Sequence, residues 1–304
     1  MIRAENVTMQ FGAFKALDKL NCQIPKGCVY GLVGSNGAGK STFLRLIAGV
    51  YRPAEGCVTV EGVPVYDSPA AKVRIAFVPD ELFFLPHSSM NRMAALYRAN
   101  YPAFSDERYS ELTALFGLNP KANLATFSKG MRRQAAIILA LSTMPDYILF
   151  DETFDGLDPV MRNLVKRVLY SDVETRNAAA VISSHSLRDL EDTCDQLALL
   201  HRGGLIFESD VENLKTSLFK VQIAFAAPFD RSVLGDLEVL DWSKKGSVAN
   251  AIVRGDREAV RRKLAEQSPL LLDILPLTLE EIFIYEMEAL GYVFDDILRR
   301  EEKA

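Results

Sequence analysis

The sequence predicts an α/β protein built on a mostly parallel sheet covered by helices, with a helical insertion in its middle and a small α+β domain at its C-terminal end. Three observations predict it. Short, nearly all-apolar runs at Val29 to Val33, Tyr147 to Phe150 and Ala179 to Ser183 read as strands buried on both faces. A glycine-rich loop joins the first of these runs to a helix, and another helix from about Val160 to Tyr170 separates the other two. Beyond Leu214 the composition changes to amphipathic strands.

The elements follow in order along the chain. Ile2 to Met9 and Leu20 to Ile24 read as strands, and a Pro25-Lys26-Gly27 turn leads into Val29 to Val33. The helix after the glycine loop spans Ser41 to Ala48 and stops at Gly49; Pro53 and Gly56 mark the turn into the strand Val58 to Glu61. Ile75 to Val78 is a further short strand closed by Pro79. From Leu82 to Ala140 the texture is helical. Ser105 is an N-cap with Asp106 and Glu107 in the first turn, Tyr109, Leu112, Leu115 and Phe116 form one face, and Gly117 ends the helix. After Leu214, Phe219, Val221, Ile223 and Phe225 alternate with Lys220, Gln222 and Ala224, as in a half-buried antiparallel strand. Ala249, Ala251 and Val253 form another, a helix covers Asp256 to Glu266, and Thr278 with Glu281 makes a capping box ahead of Ile282, Phe283 and Met287. The expected domains are therefore 1–215 and 216–304.

Bulk composition narrows the function. Hydrophobic residues at 49% and charged residues at 25% fit a folded globular chain and exclude global disorder. A net charge of -5 argues against a nucleic-acid binder, whose affinity rests on a basic surface. Arg3 and Glu5 beside Met1 predict no leader, and the longest apolar run, Ala135 to Leu141, falls far short of the ~20 residues that cross a bilayer. A soluble chain is expected. The four cysteines, Cys22, Cys28, Cys57 and Cys194, are scattered without a Cys-x-x-Cys pair and are expected to be reduced core thiols.

Gly34-Ser35-Asn36-Gly37-Ala38-Gly39-Lys40-Ser41 matches G-x-x-x-x-G-K-[ST] between a buried strand and a helix. Glycines let backbone N–H groups curl around an anion, the helix N-terminus adds a positive dipole end, Lys40 reaches the outer phosphates, and the Ser41 hydroxyl suits Mg²⁺. Nucleotide binding follows, with kinase, GTPase and ATPase all open. Tyr147-Ile148-Leu149-Phe150-Asp151-Glu152 then delivers two acids at a strand's C-terminal end, where open α/β sheets bind ligands. Asp151 is placed to hold the Mg²⁺ shell and Glu152 to polarise the attacking water. No Asn-Lys-x-Asp guanine-reading motif occurs, which argues against a GTPase.

Further motifs line up in order. Phe127-Ser128-Lys129-Gly130-Met131-Arg132-Arg133-Gln134, Asp155-Gly156-Leu157-Asp158, Ser183-Ser184-His185, and Phe11 ahead of Lys15-Ala16-Leu17 together resemble the signature sequence, D-loop, switch histidine and adenine-stacking aromatic of the ATP-binding cassette (ABC) transporter family, over roughly residues 1 to 215. The resemblance implies the P-loop ABC ATPase fold: a mostly parallel sheet, an antiparallel β subdomain and a helical subdomain at about 82–145. It also implies a nucleotide site of Phe11, Gly34, Asn36, Gly37, Gly39, Lys40, Ser41, Thr42 and Asp80, with ATP and Mg²⁺ as cofactors. Catalytic roles fall to Glu152 and His185, metal contacts to Ser41, Asp80 and Asp151, and a D-loop role to Asp158. Ser128 and Gly130 would cap the γ-phosphate held by a second ATP-binding subunit, identical or related. The implied partners are that subunit and integral-membrane permease subunits, without nucleic acid, at the cytoplasmic face of the membrane. Leu82-Phe83-Phe84-Leu85, with Met90, Met93, Tyr97 and Tyr101, is expected to dock the permease.

The wording around Asp80, Phe83-Phe84, Ser-Lys-Gly-Met and Phe154 to Arg162 is similar to bacterial export-type cassettes of the bacitracin-resistance-like group and their relatives in GntR-regulated operons. Two positions depart from the family pattern: Asp80 stands where glutamine is usual, and Thr153 where proline follows the catalytic glutamate. Structural readings of single residues stand beside these. Phe11 also suits a core aromatic, Ser128 an N-cap, and His185 an exposed strand end. A cassette ATPase acting on ribosomes or DNA is the competing function, disfavoured by the single phosphate loop, the absence of long heptads and the acidic balance. A regulatory module with little turnover is disfavoured by Glu152 and His185 together.

Overall fold

The computed structural model describes residues 1–154 and 156–289, and the chain divides into two compact units, Met1–Glu208 and a second that begins at Ser209. Asp155 of the D-loop and residues 290–304 of the expected second domain lie outside the described residues.

The first unit opens with β1 (Ile2–Phe11) and β2 (Phe14–Ile24), an antiparallel pair whose inward residues Ile2, Ala4, Val7, Leu17, Leu20 and Ile24 are buried. β3 (Val29–Val33) is buried at every position, as its unbroken apolar run requires. Then come α1 (Lys40–Ile47), β4 (Glu55–Val60), β5 (Val63–Pro64), α2 (Pro69–Lys72) and β6 (Ile75–Val78). The helical stretch resolves into α3 (Met90–Asn100), α4 (Asp106–Leu115) and α5 (Lys129–Ser142). β7 (Tyr147–Asp151), α6 (Pro159–Arg176), β8 (Ala179–Ser184), α7 (Leu187–Glu191), β9 (Gln196–His201) and β10 (Gly204–Asp210) complete the core.

Two sheets result. β2-β1-β4-β5 is antiparallel, and a six-stranded sheet runs β10-β9-β3-β8-β7-β6 with the pairs β9–β3, β3–β8, β8–β7 and β7–β6 parallel. Register sets up the site. Val33 pairs with Ser184 and Asp151 with Ser183, so the ends of β3, β7 and β8 finish side by side and release their loops at one edge. Tyr30, Leu32, Phe43, Leu44, Tyr147, Leu149 and Val181 pack the core beneath that edge.

In the insertion, Ser89, Ser105 and Ser128 each cap a helix by accepting from the N–H of Arg92, Arg108 and Met131 at 3.3, 3.1 and 3.2 Å. Gly117 closes α4 at φ 67°, a conformation that suits glycine. Met90 and Met93, expected on the docking face, are instead only 0% and 4% exposed and fill the insertion's own core. Phe83 at 77%, Leu115 at 53% and Leu96 at 42% are its large apolar side chains that reach the surface, so Leu115 leaves the face expected of it on α4.

The second unit comprises α8 (Val211–Ser217), β11 (Leu218–Ala224), β12 (Glu238–Lys245), β13 (Val248–Arg254), α9 (Arg257–Ala265), β14 (Leu271–Pro276) and α10 (Leu279–Ala289). Its antiparallel sheet runs β12-β13-β11-β14. Phe219, Val221 and Ile223 of β11 meet Ala249, Ala251 and Val253 of β13 on one buried face, under Val260 and Leu264 of α9. Thr278 and Glu281 form the capping box reciprocally, with Glu281 N–H on Thr278 Oγ1 at 3.2 Å and Thr278 N–H on Glu281 Oε2 at 2.9 Å. The division falls at Glu208/Ser209, ahead of the expected 215/216, because α8 keeps Val211 and Leu214 buried within the second unit.

All four cysteines are free; Cys22, Cys28 and Cys194 are buried, whereas Cys57 on β4 is exposed and corrects the expectation of four core thiols. Burial pushes the Cys28 thiol up to about 11 and that of Cys22 to about 12. No helix among the described residues is long and apolar enough to cross a membrane.

Candidate functional site

Between Val33 and Lys40 the chain turns through the glycine loop at the carboxyl edge of the parallel sheet. Two of its glycines are required by geometry. A Cβ at Gly34 would lie 2.4 Å from the Leu200 carbonyl oxygen, and Gly39 takes φ 110° with the Ala16 carbonyl oxygen 2.7 Å from its own Cβ position. The loop, with the first turn of α1, walls a pocket of about 270 Å³ lined by Phe14, Ala16, Asn36, Gly37, Ala38, Gly39, Lys40, Ser41, Thr42, Asp80 and Glu152. Unpaired N–H groups at the start of α1 and the dipole of that helix make this an anion cradle.

Lys40 is 5% exposed and is held inside the loop, donating to the Gly34 and Ser35 carbonyl oxygens at 2.6 and 3.3 Å. Its ammonium also pairs with Glu152 Oε1 at 3.2 Å. The other oxygen of that carboxylate, Oε2, meets His185 Nδ1 at 3.0 Å. Burial pushes the Glu152 carboxyl up, but the Lys40 charge and the hydrogen bonds from His185 and Lys40 outweigh it and hold the group below the ordinary glutamate value. Glu152 is therefore an ionised acceptor at neutral pH, placed between two cationic or donor groups.

Asp151 stands at the end of β7 with its carboxylate buried. Oδ1 accepts from the Ser41 and Ser183 hydroxyls at 2.8 and 2.9 Å, whereas Oδ2 is buried without a hydrogen-bond partner. An orphaned carboxylate oxygen beside a serine hydroxyl is a pair of hard oxygen donors, which is the donor chemistry Mg²⁺ takes. The residues present thus fit that ion.

Glu152 adopts a left-handed backbone, φ 46°, which costs a non-glycine residue on the order of 1 kcal/mol. Its two flanking peptides are pinned. The Glu152 N–H donates to Ser183 Oγ at 3.1 Å, and its carbonyl oxygen accepts from Arg133 Nη1 at 2.7 Å. Thr153, buried completely, donates its hydroxyl to the Val78 carbonyl oxygen at 3.2 Å, tying the end of β7 to that of β6 where the family pattern has proline.

The remaining expected residues divide into those brought to the pocket and those held apart. Asp80 borders it, and the carboxylate expected to meet Mg²⁺ pairs with Arg133, Oδ1 accepting from Nη2 at 2.7 Å. Phe11 is not among the lining residues; it packs edge-on against Tyr51 with ring centroids 5.5 Å apart, and its hairpin partner Phe14 lines the pocket instead. Ser128 and Gly130 lie at the N-terminus of α5, away from this pocket, with Ser128 capping the helix. Asp158 caps α6, accepting from the Val160 and Met161 N–H groups, both at 3.0 Å.

Arg133, Ser183 and Phe14 were not expected in site roles. Arg133 carried a signal. It falls four residues before Ile137 and eight before Leu141, on one buried stripe of α5, and a cation on such a stripe demands a buried or pocket-side acid. Ser183 ended an apolar strand, and nothing in its neighbours marked it as the link between Asp151 and Glu152.

The chain is similar to known proteins of one family. Residues 17–155 match the family described as ABC transporter. The chain is 28% identical over 285 residues to the ABC transporter ATP-binding protein YtrB of Bacillus subtilis (strain 168), covering 93% of this chain and 97% of the relative. It is 34% identical over 215 residues to the ABC transporter ATP-binding protein NatA of the same organism, covering 67% of this chain and 85% of the relative. Among solved structures, a dimeric ATP-binding cassette in a post-hydrolysis state bound to ADP and Pi matches 69% of this chain and 99% of its own length, with a TM-score of 0.63 at 23% identity. That last likeness shows the fold.

Proposed function

This chain belongs to the family of ABC transporter ATP-binding proteins, whose members are ATPases, and we propose that it closes with a second ATP-binding subunit around two Mg-ATP and drives a separate membrane permease. The observation that carries this reading is the contact of Lys40 with Glu152 inside the glycine loop. An ammonium that reaches this carboxylate is positioned to exchange it for phosphate oxygens when ATP enters. That exchange releases Glu152 Oε1 toward the attacking water, while His185 keeps hold of Oε2. Ionised Glu152 is then the general base, and His185 its orienting partner.

Ser41 and Asp151 would hold Mg²⁺, which when bound supplies positive charge against the β- and γ-phosphate oxygens. Gly34, Asn36, Gly37, Gly39 and Thr42 give backbone and side-chain contacts to the phosphates, and Phe14, with Phe11 across the hairpin, serves the adenine. Ser128 and Gly130 remain outside the chain's own pocket and are assigned to the phosphate held by the second subunit, while Asp158 keeps its D-loop role at the cap of α6. Exposed Phe83 and Leu96 offer the permease an apolar contact, which fixes the chain to the cytoplasmic face of the membrane. Export as the direction follows from the resemblance of the Asp80, Ser-Lys-Gly-Met and Phe154 to Arg162 segments to export-type cassettes.

Glu152→Gln tests the core of this reading. The amide keeps the shape and cannot act as a base, so phosphate release is expected to fall by about 10²–10⁴-fold with ATP affinity retained. With turnover blocked, gel filtration in saturating Mg-ATP is expected to show a dimer if the second subunit is an identical copy; a chain that stays monomeric there rules out closure with itself and leaves a related subunit as the partner to co-express.

A further inference from the structure

We infer that Arg133 is a positioning residue for hydrolysis: one buried guanidinium clamps the Glu152 main chain to Asp80 and so fixes where the Glu152 carboxylate stands. The inference rests on the reading of Glu152 as the base. Arg133 is 2% exposed on α5, five residues after Ser128. Nη1 donates to the Glu152 carbonyl oxygen at 2.7 Å, and Nη2 donates to the Asp80 carbonyl oxygen at 3.0 Å and to Asp80 Oδ1 at 2.7 Å. These acceptors lie at the ends of two different strands, β6 and β7, and a planar fork spans them where a point charge does not.

The clamp acts on a backbone that needs holding. Glu152 is left-handed at φ 46°, with Ser183 fixing its N–H from one side and Arg133 its carbonyl from the other. Release of either peptide lets the residue relax toward an ordinary conformation and swings the carboxylate away from Lys40 and His185. Arg133 also links two compartments. Asp80 lines the phosphate pocket, and it lines a neighbouring pocket of about 410 Å³ with Glu81, Leu82, Lys129, Arg132 and Arg133. A displacement of the α5 N-terminus, where Ser128 and Gly130 sit, therefore reaches the Glu152 peptide through a single side chain.

A purely structural ion pair is the competing account, and Arg133→Lys separates the two. Lysine keeps the positive charge beside Asp80 but cannot bridge both strand ends. In the full-length chain with Mg-ATP, the positioning role predicts a loss in kcat on the order of ten- to hundredfold, the scale that misplacement of a reacting group costs, with ATP affinity within about twofold of wild type. A structural role predicts the opposite split, a lower melting temperature and weaker ATP binding with kcat per folded molecule retained, and that result overturns the inference. If the lysine variant does not fold, the neutral double variant Asp80→Asn with Arg133→Gln removes the charge imbalance. A folded double variant with wild-type kcat overturns the inference equally. Glu152→Gln run in parallel keeps the two ideas apart. Wild-type turnover there would sink the underlying mechanism, whereas lost turnover there with kcat intact in Arg133→Lys would sink the clamp alone.

Discussion

Asp80 brings a carboxylate to the mouth of the phosphate pocket, and the charge it presents depends on one neighbour. Taken alone in the sequence, it is a free acid beside a polyanion and calls for a metal. With Arg133 at 2.7 Å its charge is already matched, although the side chain is 55% exposed and the pair is partly screened by water. Removing the carboxylate takes one negative charge away from the mouth of the pocket, which favours ATP at every metal concentration. ATP affinity measured across a Mg²⁺ titration is therefore expected to rise in Asp80→Asn by a constant factor, on the order of twofold to tenfold for one unit charge near the pocket, with the Mg²⁺ midpoint unmoved. A shifted midpoint would mean that Asp80 senses the metal directly. Most of the site was legible at this scale because glycine geometry, Lys40, Ser41, Asp151 and Glu152 are written in contiguous motifs. Arg133 escaped because its partners sit 53 residues upstream and 19 downstream, and no local pattern links them.

The ends of β6 and β7 show how neighbouring elements share a single bond. Proline after the glutamate would stiffen the chain through its fixed φ; here Thr153 has no ring and instead crosses to the Val78 carbonyl oxygen from a fully buried position. Thr153→Val keeps the volume and leaves that buried carbonyl one donor short. Chemical denaturation is expected to show a loss of about 1 kcal/mol, and an unchanged midpoint would mean that solvent or a backbone donor replaces the hydroxyl. Elements with unbroken apolar runs were legible to the residue, as with Val29 to Val33 and Ile75 to Val78. β12 and β14 were not. Glu238 to Lys245 carries five exposed residues and Leu271 to Pro276 has no clean alternation, so neither announces a buried face before its partner strand is known.

At the scale of the whole molecule, every phosphate-loop, acidic and signature residue lies in Met1–Glu208, and the second unit has a core of its own. Where the seam falls decides what a truncated chain exposes. A cut after Lys215, the position suggested by composition, retains most of α8 and strips the surroundings from Val211 and Leu214, side chains whose burial is worth about 1.5–3 kcal/mol each. A cut after Glu208 removes α8 entirely and costs β10 only Ser209 and Asp210. It also preserves the Glu208 carboxylate that accepts from the buried Tyr30 hydroxyl at 2.8 Å, a bond anchoring the central strand β3. Chain 1–208 is therefore expected to stay monomeric and folded without nucleotide and to bind Mg-ATP within about threefold of the full-length affinity. Chain 1–215 is expected to aggregate at lower concentration. Light scattering and isothermal titration on the two fragments check both halves. A folded 1–208 fragment that no longer binds ATP would mean that the second unit helps build the pocket, and the division of labour between the units would have to be redrawn.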